Sequence, residues 1–183
     1  PTLKFNPFIF DRKTYKMLFG FGIKRWITNI EQVILSQMDK LLISYFLNYR
    51  LVGLYQLGST IVNKAGQLPM LLIPAVIPAA SELDAYKKKQ EIIKLYFKGS
   101  KYLLGISIPL FTFLFCTSNL IMFAWMGRGY QNSVLVIQLL SPSFIIMNFA
   151  AMGTAIALGV GRPDFQMKAS TMQVVLNIIL SII

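Results

Sequence analysis

The chain has 183 residues, of which 55% are hydrophobic and 14% are charged, with 18 Lys and Arg against 7 Asp and Glu. Soluble domains hold about 25% charged residues, and a chain this apolar would expose aggregation-prone patches in water. The composition therefore argues against a soluble domain and favours an all-α fold, a polytopic transmembrane helix bundle.

Apolar blocks follow one another along the chain, and about 20 mostly apolar residues are enough to cross the hydrocarbon core of a bilayer. A cytoplasmic lead-in at 1–17 precedes a predicted transmembrane bundle at 18–183. Five membrane helices are predicted at about 18–47, 51–80, 102–126, 133–160 and 167–183, the last of them truncated, with a Lys-rich cytoplasmic loop at 81–101. Because the chain begins with Pro1 and ends inside an apolar run, we expect a fragment of a longer protein.

Basic residues mark one side of the predicted membrane. Four precede the first helix and six lie in the loop 81–101, whereas the turns at 48–50 and 127–132 hold one arginine each. The positive-inside rule places the amino end, the Lys-rich loop and the connection near Gly161 in the cytoplasm. Within the loop, the apolar residues near Phe97 share a helical face, which fits either a short helix at the anionic leaflet or a solvated linker.

The absence of histidine and the single cysteine exclude several classes of chemistry. The chain has no His and one Cys, which removes histidine acid–base catalysis and most zinc sites. Cys116 lies in an apolar run and is expected to behave as a small hydrophobic residue. The net charge of +11 comes largely from lysines between apolar blocks, so we expect no nucleic-acid partner. We also expect no cofactor and no metal.

The first predicted helix carries a polar stripe. Steps of four, three, four and three residues place its members within about 80° of arc. The stripe consists of Arg25, Asn29, Gln32, Ser36 and Asp39. A charged side chain at the bilayer centre costs on the order of 3 kcal/mol, so we expect the stripe to face the bundle interior or a hydrated cavity.

The second predicted helix repeats this pattern. Gln56, Thr60, Asn63 and Gln67 share one face, and Lys64 lies beside them. Polar residues in membrane helices also form interhelical hydrogen bonds, and for the amides and hydroxyls this role and a cavity lining are equally compatible with the pattern. For the charged members we favour the cavity, although those near the helix ends could instead extend to the headgroups.

The sign of these charges suggests what such a cavity would bind. Arg and Lys attract anions such as phosphate, and an intramembrane carboxylate can bind a proton or a sodium ion. Moving one charge through 100 mV yields about 2.3 kcal/mol, which can drive a conformational change. The candidate cavity residues are Arg25, Asn29, Gln32, Ser36, Asp39, Asn63 and Lys64, and the ion-coupling candidates are Asp39 and Glu31.

Several motifs follow one another along the chain in a specific order and spacing. The segment LSQMDKLLISYFLNYRLVGLYQLGSTI includes Asp39 ahead of an apolar stretch, and its turn is followed by a Val-Gly-x-Tyr signature beginning at Val52. The later segments are LPMLLIPAVIPAASEL and ALGVGRPDFQ, the latter followed by Asn177. Together these motifs resemble the second six-helix half of polysaccharide and O-antigen flippases, and the resemblance extends from about Lys16 to the end of the chain.

The resemblance implies a two-half transporter of twelve to fourteen helices around a central cavity, with about helices seven to eleven present here. It implies that a prenyl-diphosphate-linked oligosaccharide is flipped across a bacterial or archaeal inner membrane by alternating access. The implied partners are this lipid-linked sugar, the lipid bilayer, a proton or sodium ion, and other polysaccharide assembly proteins.

Two other functions are compatible with parts of the pattern. An ion-coupled multidrug exporter of the same superfamily would favour an acidic cavity, whereas Lys and Arg outnumber Asp and Glu in these helices. A membrane-embedded enzyme of polysaccharide synthesis would need a large exterior loop, and the predicted exterior turns are short. We therefore predict a transporter and not an enzyme, while a purely structural scaffold would not need the polar stripes.

Overall fold

The computed structural model describes residues 12–46 and 48–182, and this part of the chain is almost entirely helical, with no strand. Side chains are described throughout these ranges except at residues 13, 14, 17, 21, 24, 25, 35, 36, 39, 165 and 176–182. The helices are α1 (Arg12–Phe46), α2 (Tyr49–Met70), α3 (Ile73–Ala85), α4 (Lys89–Met126), α5 (Gln131–Gly159) and α6 (Asp164–Ile182). The all-α fold predicted from composition is confirmed.

Three helical stretches in the described chain are long and apolar enough to cross a membrane. They are Tyr49–Ala85, which contains α2 and α3, together with Lys89–Met126 and Gln131–Gly159. The chain divides into two compact units, one formed by Ser36–Arg162 and the other by residues of 1–35 and 163–183. The three candidate spans all lie in the first of these units.

The break between α2 and α3 follows from the prolines of the second predicted helix. Pro74 occupies the first turn of α3, where its missing N–H is tolerated and where its ring prevents a helix from continuing through the preceding turn. The amides of Leu71 and Leu72 donate to the carbonyls of Leu68 and Pro69, each at 3.3 Å, so α2 closes in a tightened last turn. One predicted apolar block therefore folds as two helices.

The predicted Lys-rich loop at 81–101 is largely helical in the structure. Helix α3 continues to Ala85, a turn passes through Lys87 with a φ of 56°, and α4 begins at Lys89. Lysine is a good helix former, so its charge excludes these residues from the hydrocarbon without ending the helix. The hydropathy pattern therefore predicts where the apolar segment begins, at residue 102, but not where helix α4 begins, at Lys89.

The end of α5 is set by a glycine. Gly161 adopts a φ of 73°, its amide donates to the carbonyl of Leu158 at 3.0 Å, and the amide of Arg162 donates to that of Ala157 at 2.8 Å. This pair of bonds is a Schellman motif, in which glycine takes the left-handed position. The turn predicted near 159–164 is therefore present.

The core of the Ser36–Arg162 unit forms where α2, α3 and α4 pack against α5. One cluster of buried side chains consists of Val62, Phe111, Leu114, Met122, Val134 and Ile137. A second consists of Val76, Leu103, Met152 and Ala155. Buried hydroxyls and an amide join the same helices: the Ser133 hydroxyl donates to the Leu54 carbonyl at 2.8 Å, and Asn148 Nδ2 donates to Ser107 Oγ at 2.9 Å.

Candidate functional site

Most polar residues of α2 lie on the side of the helix that faces away from the core. The buried residues of α2 are Gly58, Ser59, Val62, Gly66 and Pro69. The α2 polar face, defined as Gln56, Thr60, Asn63, Lys64 and Gln67, is exposed except for the half-buried Thr60. Packing of α2 against its neighbours therefore leaves this face available to a ligand, to water or to another part of the full-length protein.

Hydrogen bonds on the α2 polar face are local. Gln56 Nε2 donates to Thr60 Oγ1 at 3.1 Å, the Thr60 hydroxyl donates to the Gln56 carbonyl at 2.6 Å, and Asn63 Nδ2 donates to the Ser59 carbonyl at 2.8 Å. Each of these bonds stays inside α2. Interhelical bonds in this unit include those from Ser133 of α5 to the Leu54 carbonyl and from Asn148 of α5 to Ser107 of α4. The α2 polar face therefore retains hydrogen-bonding capacity.

Lys64 places a positive charge inside a candidate membrane span. It lies within the stretch Tyr49–Ala85 and is exposed. Among the described side chains no carboxylate forms an ion pair with it. An ammonium group at membrane depth is stable only beside water, a counter-ion or an anionic ligand. The cavity role of Lys64 therefore stays a prediction.

The stripe predicted on the first helix lies entirely on α1 and is described only in part. Asn29 and Gln32 are exposed, and the neighbouring Thr28 is buried. The side chains of Arg25, Ser36 and Asp39 lie outside the described residues. The role of the stripe as a cavity lining therefore stays a prediction, as does the ion-coupling role of Asp39.

Glu31 has partners that the sequence did not suggest. Its carboxylate accepts a short hydrogen bond from the Ser170 hydroxyl at Oε2 and one from the Thr171 hydroxyl at Oε1, the latter at 2.6 Å. Both hydroxyls belong to α6, and Glu31 and Ser170 are respectively half-buried and buried. We call these three residues the Glu31 cluster. Among the described side chains no Lys or Arg forms an ion pair with this carboxylate.

The Glu31 cluster has more acceptors than hydroxyl hydrogens. Ser170 Oγ and Thr171 Oγ1 also lie 3.0 and 2.8 Å from the carbonyl of Met167. A hydroxyl has one hydrogen and can also accept. With Glu31 ionised, both hydroxyls donate to it; with Glu31 protonated, it donates to one hydroxyl, which turns its own hydrogen to Met167. Both forms of the carboxyl group are therefore hydrogen-bonded by the same side chains.

The sequence signal for this cluster was weak. Glu31 lies off the α1 stripe, and Ser170 and Thr171 are adjacent hydroxyl residues in the apolar block predicted from about residue 167. The separation between the partners, 139 and 140 positions, means that only the packing of α6 beside α1 pairs them. An adjacent Ser-Thr pair on a membrane helix is the feature that could have been used to search for a carboxylate partner.

These features define the class of protein. Several long apolar helices, with a lysine on the polar face of one of them, are typical of multi-pass membrane proteins. A family model described as "Polysaccharide biosynthesis protein" matches residues 2–135. The chain belongs to this family, which agrees with the resemblance seen in its motifs.

Individual relatives agree with this assignment. A Shigella flexneri protein named "Putative O-antigen transporter" is 25% identical over 78% of the chain and 34% of its own length. An uncharacterized membrane protein of Methanocaldococcus jannaschii is 26% identical over 96% of the chain and 35% of its length. A teichuronic acid biosynthesis protein of Bacillus subtilis is 26% identical over 88% and 33%. No solved structure matches with comparable significance.

The chain spans about a third of the length of these curated relatives. The residues described above are therefore those of one part of such a protein. The activity of the whole protein is a matter of proposal.

Proposed function

We propose that the full-length protein is a transporter that flips a prenyl-diphosphate-linked oligosaccharide across the cytoplasmic membrane by alternating access. Membership of the polysaccharide biosynthesis family and the names of two relatives, which refer to O-antigen and teichuronic acid, support a polysaccharide-related cargo. The observation that carries the proposal is the exposed α2 polar face with Lys64, because this face is free to meet such a cargo.

The chemistry of the α2 polar face matches the two polar parts of this cargo. An ammonium group is a point-charge ligand for phosphate oxygens, so Lys64 would bind the diphosphate. The amides of Gln56, Asn63 and Gln67 offer donors and acceptors to sugar hydroxyls. The prenyl chain would stay in the bilayer, where it needs no polar partner. We propose the same role for the α1 stripe, from Arg25 to Asp39.

The competing functions are less well supported. A cationic drug would be repelled by Lys64, which has no counter-ion among the described side chains. An enzyme would need room for a catalytic site at the exterior turns, yet α4 and α5 are joined only by residues 127–130. A transporter in the inner membrane agrees best with these features.

We further propose that the Glu31 cluster binds the ion that couples transport to a gradient. Its carboxyl group keeps hydrogen-bond partners with and without a proton, so protonation would not leave this half-buried group without a partner. A sodium ion could instead use the carboxylate, the two hydroxyls and the Met167 carbonyl, all of which are oxygen ligands of the kind that hard cations prefer. Asp39 is the second candidate for this role.

Substitution of Lys64 tests the proposed cargo binding. In cells whose polysaccharide display depends on the full-length protein, Lys64→Gln should lower display at least tenfold, while Lys64→Arg should keep most of it because the charge remains. Lys89→Gln, at the exposed start of α4, is the matched control with the same loss of charge and should leave display unchanged. Surface polysaccharide is measured by immunoblot alongside the membrane level of each variant.

The result against the proposal would be normal display by Lys64→Gln at an unchanged protein level. Equal losses in Lys64→Gln and Lys89→Gln would also contradict it, since a general effect of charge would then account for both.

A further inference from the structure

Helix α4 is much longer than its apolar segment. Residues 102–126 carry no charge and span about 37 Å at 1.5 Å per residue, which is enough for a hydrocarbon core of about 30 Å. Residues 89–101 continue the same helix for about another 20 Å. The amino-terminal part of α4 is therefore a rigid extension of a membrane span, at the headgroup layer and beyond.

Three lysines form one face of this extension. Lys94, Lys98 and Lys101 are four and three residues apart, which places them on the same side of the helix, and all three are exposed. We call them the lysine stripe. Lys94 pairs with Glu91 at 2.8 Å, whereas among the described side chains Lys98 and Lys101 have no carboxylate partner. The stripe rises about 10 Å along the axis, starting at the edge of the apolar segment.

Exposed apolar side chains flank the lysine stripe. Phe97 is 67% exposed and Tyr102 is 57% exposed, and Ile93 lies one turn before Phe97. In water these side chains would form an exposed apolar patch, which promotes aggregation. Beside lysines at the membrane boundary they match the interface, where aromatic residues insert among headgroups and basic residues contact phosphates.

The depths of the lysines fit a headgroup layer. That layer is about 5–8 Å thick on each side of the hydrocarbon core. Lys101 lies at the edge of the apolar segment, Lys98 about 4.5 Å further out and Lys94 about 10 Å out. Because a lysine stem can extend along the helix toward the interface, all three ammonium groups can reach one row of lipid phosphates.

We propose that the lysine stripe and Phe97 form a binding site for anionic phospholipids of the cytoplasmic leaflet. The lysines bind the phosphates of neighbouring lipids, and Phe97 lies among their glycerol and upper acyl groups. This site is separate from the α2 polar face and does not depend on the transported cargo. Its occupant is a bilayer lipid because the basic face and the exposed aromatic rings adjoin the hydrocarbon edge.

The test measures phospholipid bound to the full-length protein purified from membranes, by native mass spectrometry and by lipid extraction. The variant Lys94→Gln/Lys98→Gln/Lys101→Gln should retain at least tenfold less phosphatidylglycerol, since each lysine near an anionic surface contributes about fivefold to binding. The matched control Lys87→Gln/Lys88→Gln/Lys89→Gln removes the same charge from the adjoining turn, where Lys88 already lies over the Tyr86 ring at 5.5 Å. This control should retain phosphatidylglycerol within about twofold of the unsubstituted protein. Phosphatidylcholine added in detergent should bind equally to the unsubstituted protein and to both triple variants.

Three results would overturn the proposal. The first is undiminished phosphatidylglycerol in the stripe variant, and the second is an equal loss in both triple variants, which would show a general charge effect. The third is a stripe variant that loses a co-purified prenyl diphosphate but keeps its phosphatidylglycerol, which would show that the lysine stripe binds the cargo. If the triple variant does not fold, Lys98→Gln and Lys101→Gln singly should each lower retention about fivefold, and unchanged retention in both would equally refute the site.

Discussion

Gly58 lies where α2 packs against α5, and the space beside it is already filled. A Cβ atom built on Gly58 would lie 2.6 Å from the backbone oxygen of Ser133 and 2.9 Å from Cβ of Val136. The first neighbour is backbone and cannot rotate away, so Gly58→Ala must separate the two helices locally. Overpacking of this kind costs about 1–3 kcal/mol, and it would also disturb the hydrogen bond from Ser133 to the Leu54 carbonyl.

The same helix provides the control. A Cβ atom on Gly53 would have no other atom within 4 Å, and alanine is a better helix former than glycine by about 1 kcal/mol. Gly53→Ala should therefore be neutral or stabilising by up to about 1 kcal/mol. After the same propensity gain is subtracted, Gly58→Ala should be less stable than the parent by up to about 2 kcal/mol, and less stable than Gly53→Ala by about 1–3 kcal/mol. The free energy of unfolding is measured on the purified full-length protein by denaturant titration in detergent micelles. Equal stability of the two variants would refute the close α2–α5 contact on which the fold of this unit depends.

Two further substitutions test the carboxylate and the buried amide. Glu31→Gln keeps groups that can form hydrogen bonds with both α6 hydroxyls, but the glutamine side chain cannot bind a proton. Transport by the reconstituted full-length protein should therefore lose its response to an imposed proton or sodium gradient. A preserved response would exclude the Glu31 cluster as the coupling site. Asn148→Ala removes the bond to Ser107 and leaves a cavity in a fully buried position. It also removes the buried Oδ1 atom, which has no partner among the described residues, and Ser107 keeps its bond to the Leu103 carbonyl, so the free energy of unfolding should fall by about 0.5–1.5 kcal/mol. Asn119→Ala, at an exposed position of α4, should change it little, and similar losses in the two variants would contradict the buried role of Asn148.

The membrane class and two of the spans follow from the sequence because hydropathy is a local property. The uncharged segments predicted at 102–126 and 133–160 correspond to the apolar part of α4 and, within two residues, to α5. The polar face of α2 was also predictable, since its members recur at helical spacing and the opposite side carries the small and apolar residues that pack. In both cases the controlling interactions lie within one helix.

Other features depend on contacts between residues distant in the chain, and only the tertiary structure decides them. The Gly58 contact depends on how closely α5 approaches α2, and sequence periodicity does not distinguish Gly58 from Gly53. The pairing of Glu31 with Ser170 and Thr171 depends on the rotation and axial position of α6, which set which side chains meet across an interface. Helix α4 extends through the predicted loop because backbone hydrogen bonding continues where the hydrocarbon ends. Local patterns predict which segments are long and apolar enough to cross a membrane, but the contacts of their side chains are a property of the assembled helices.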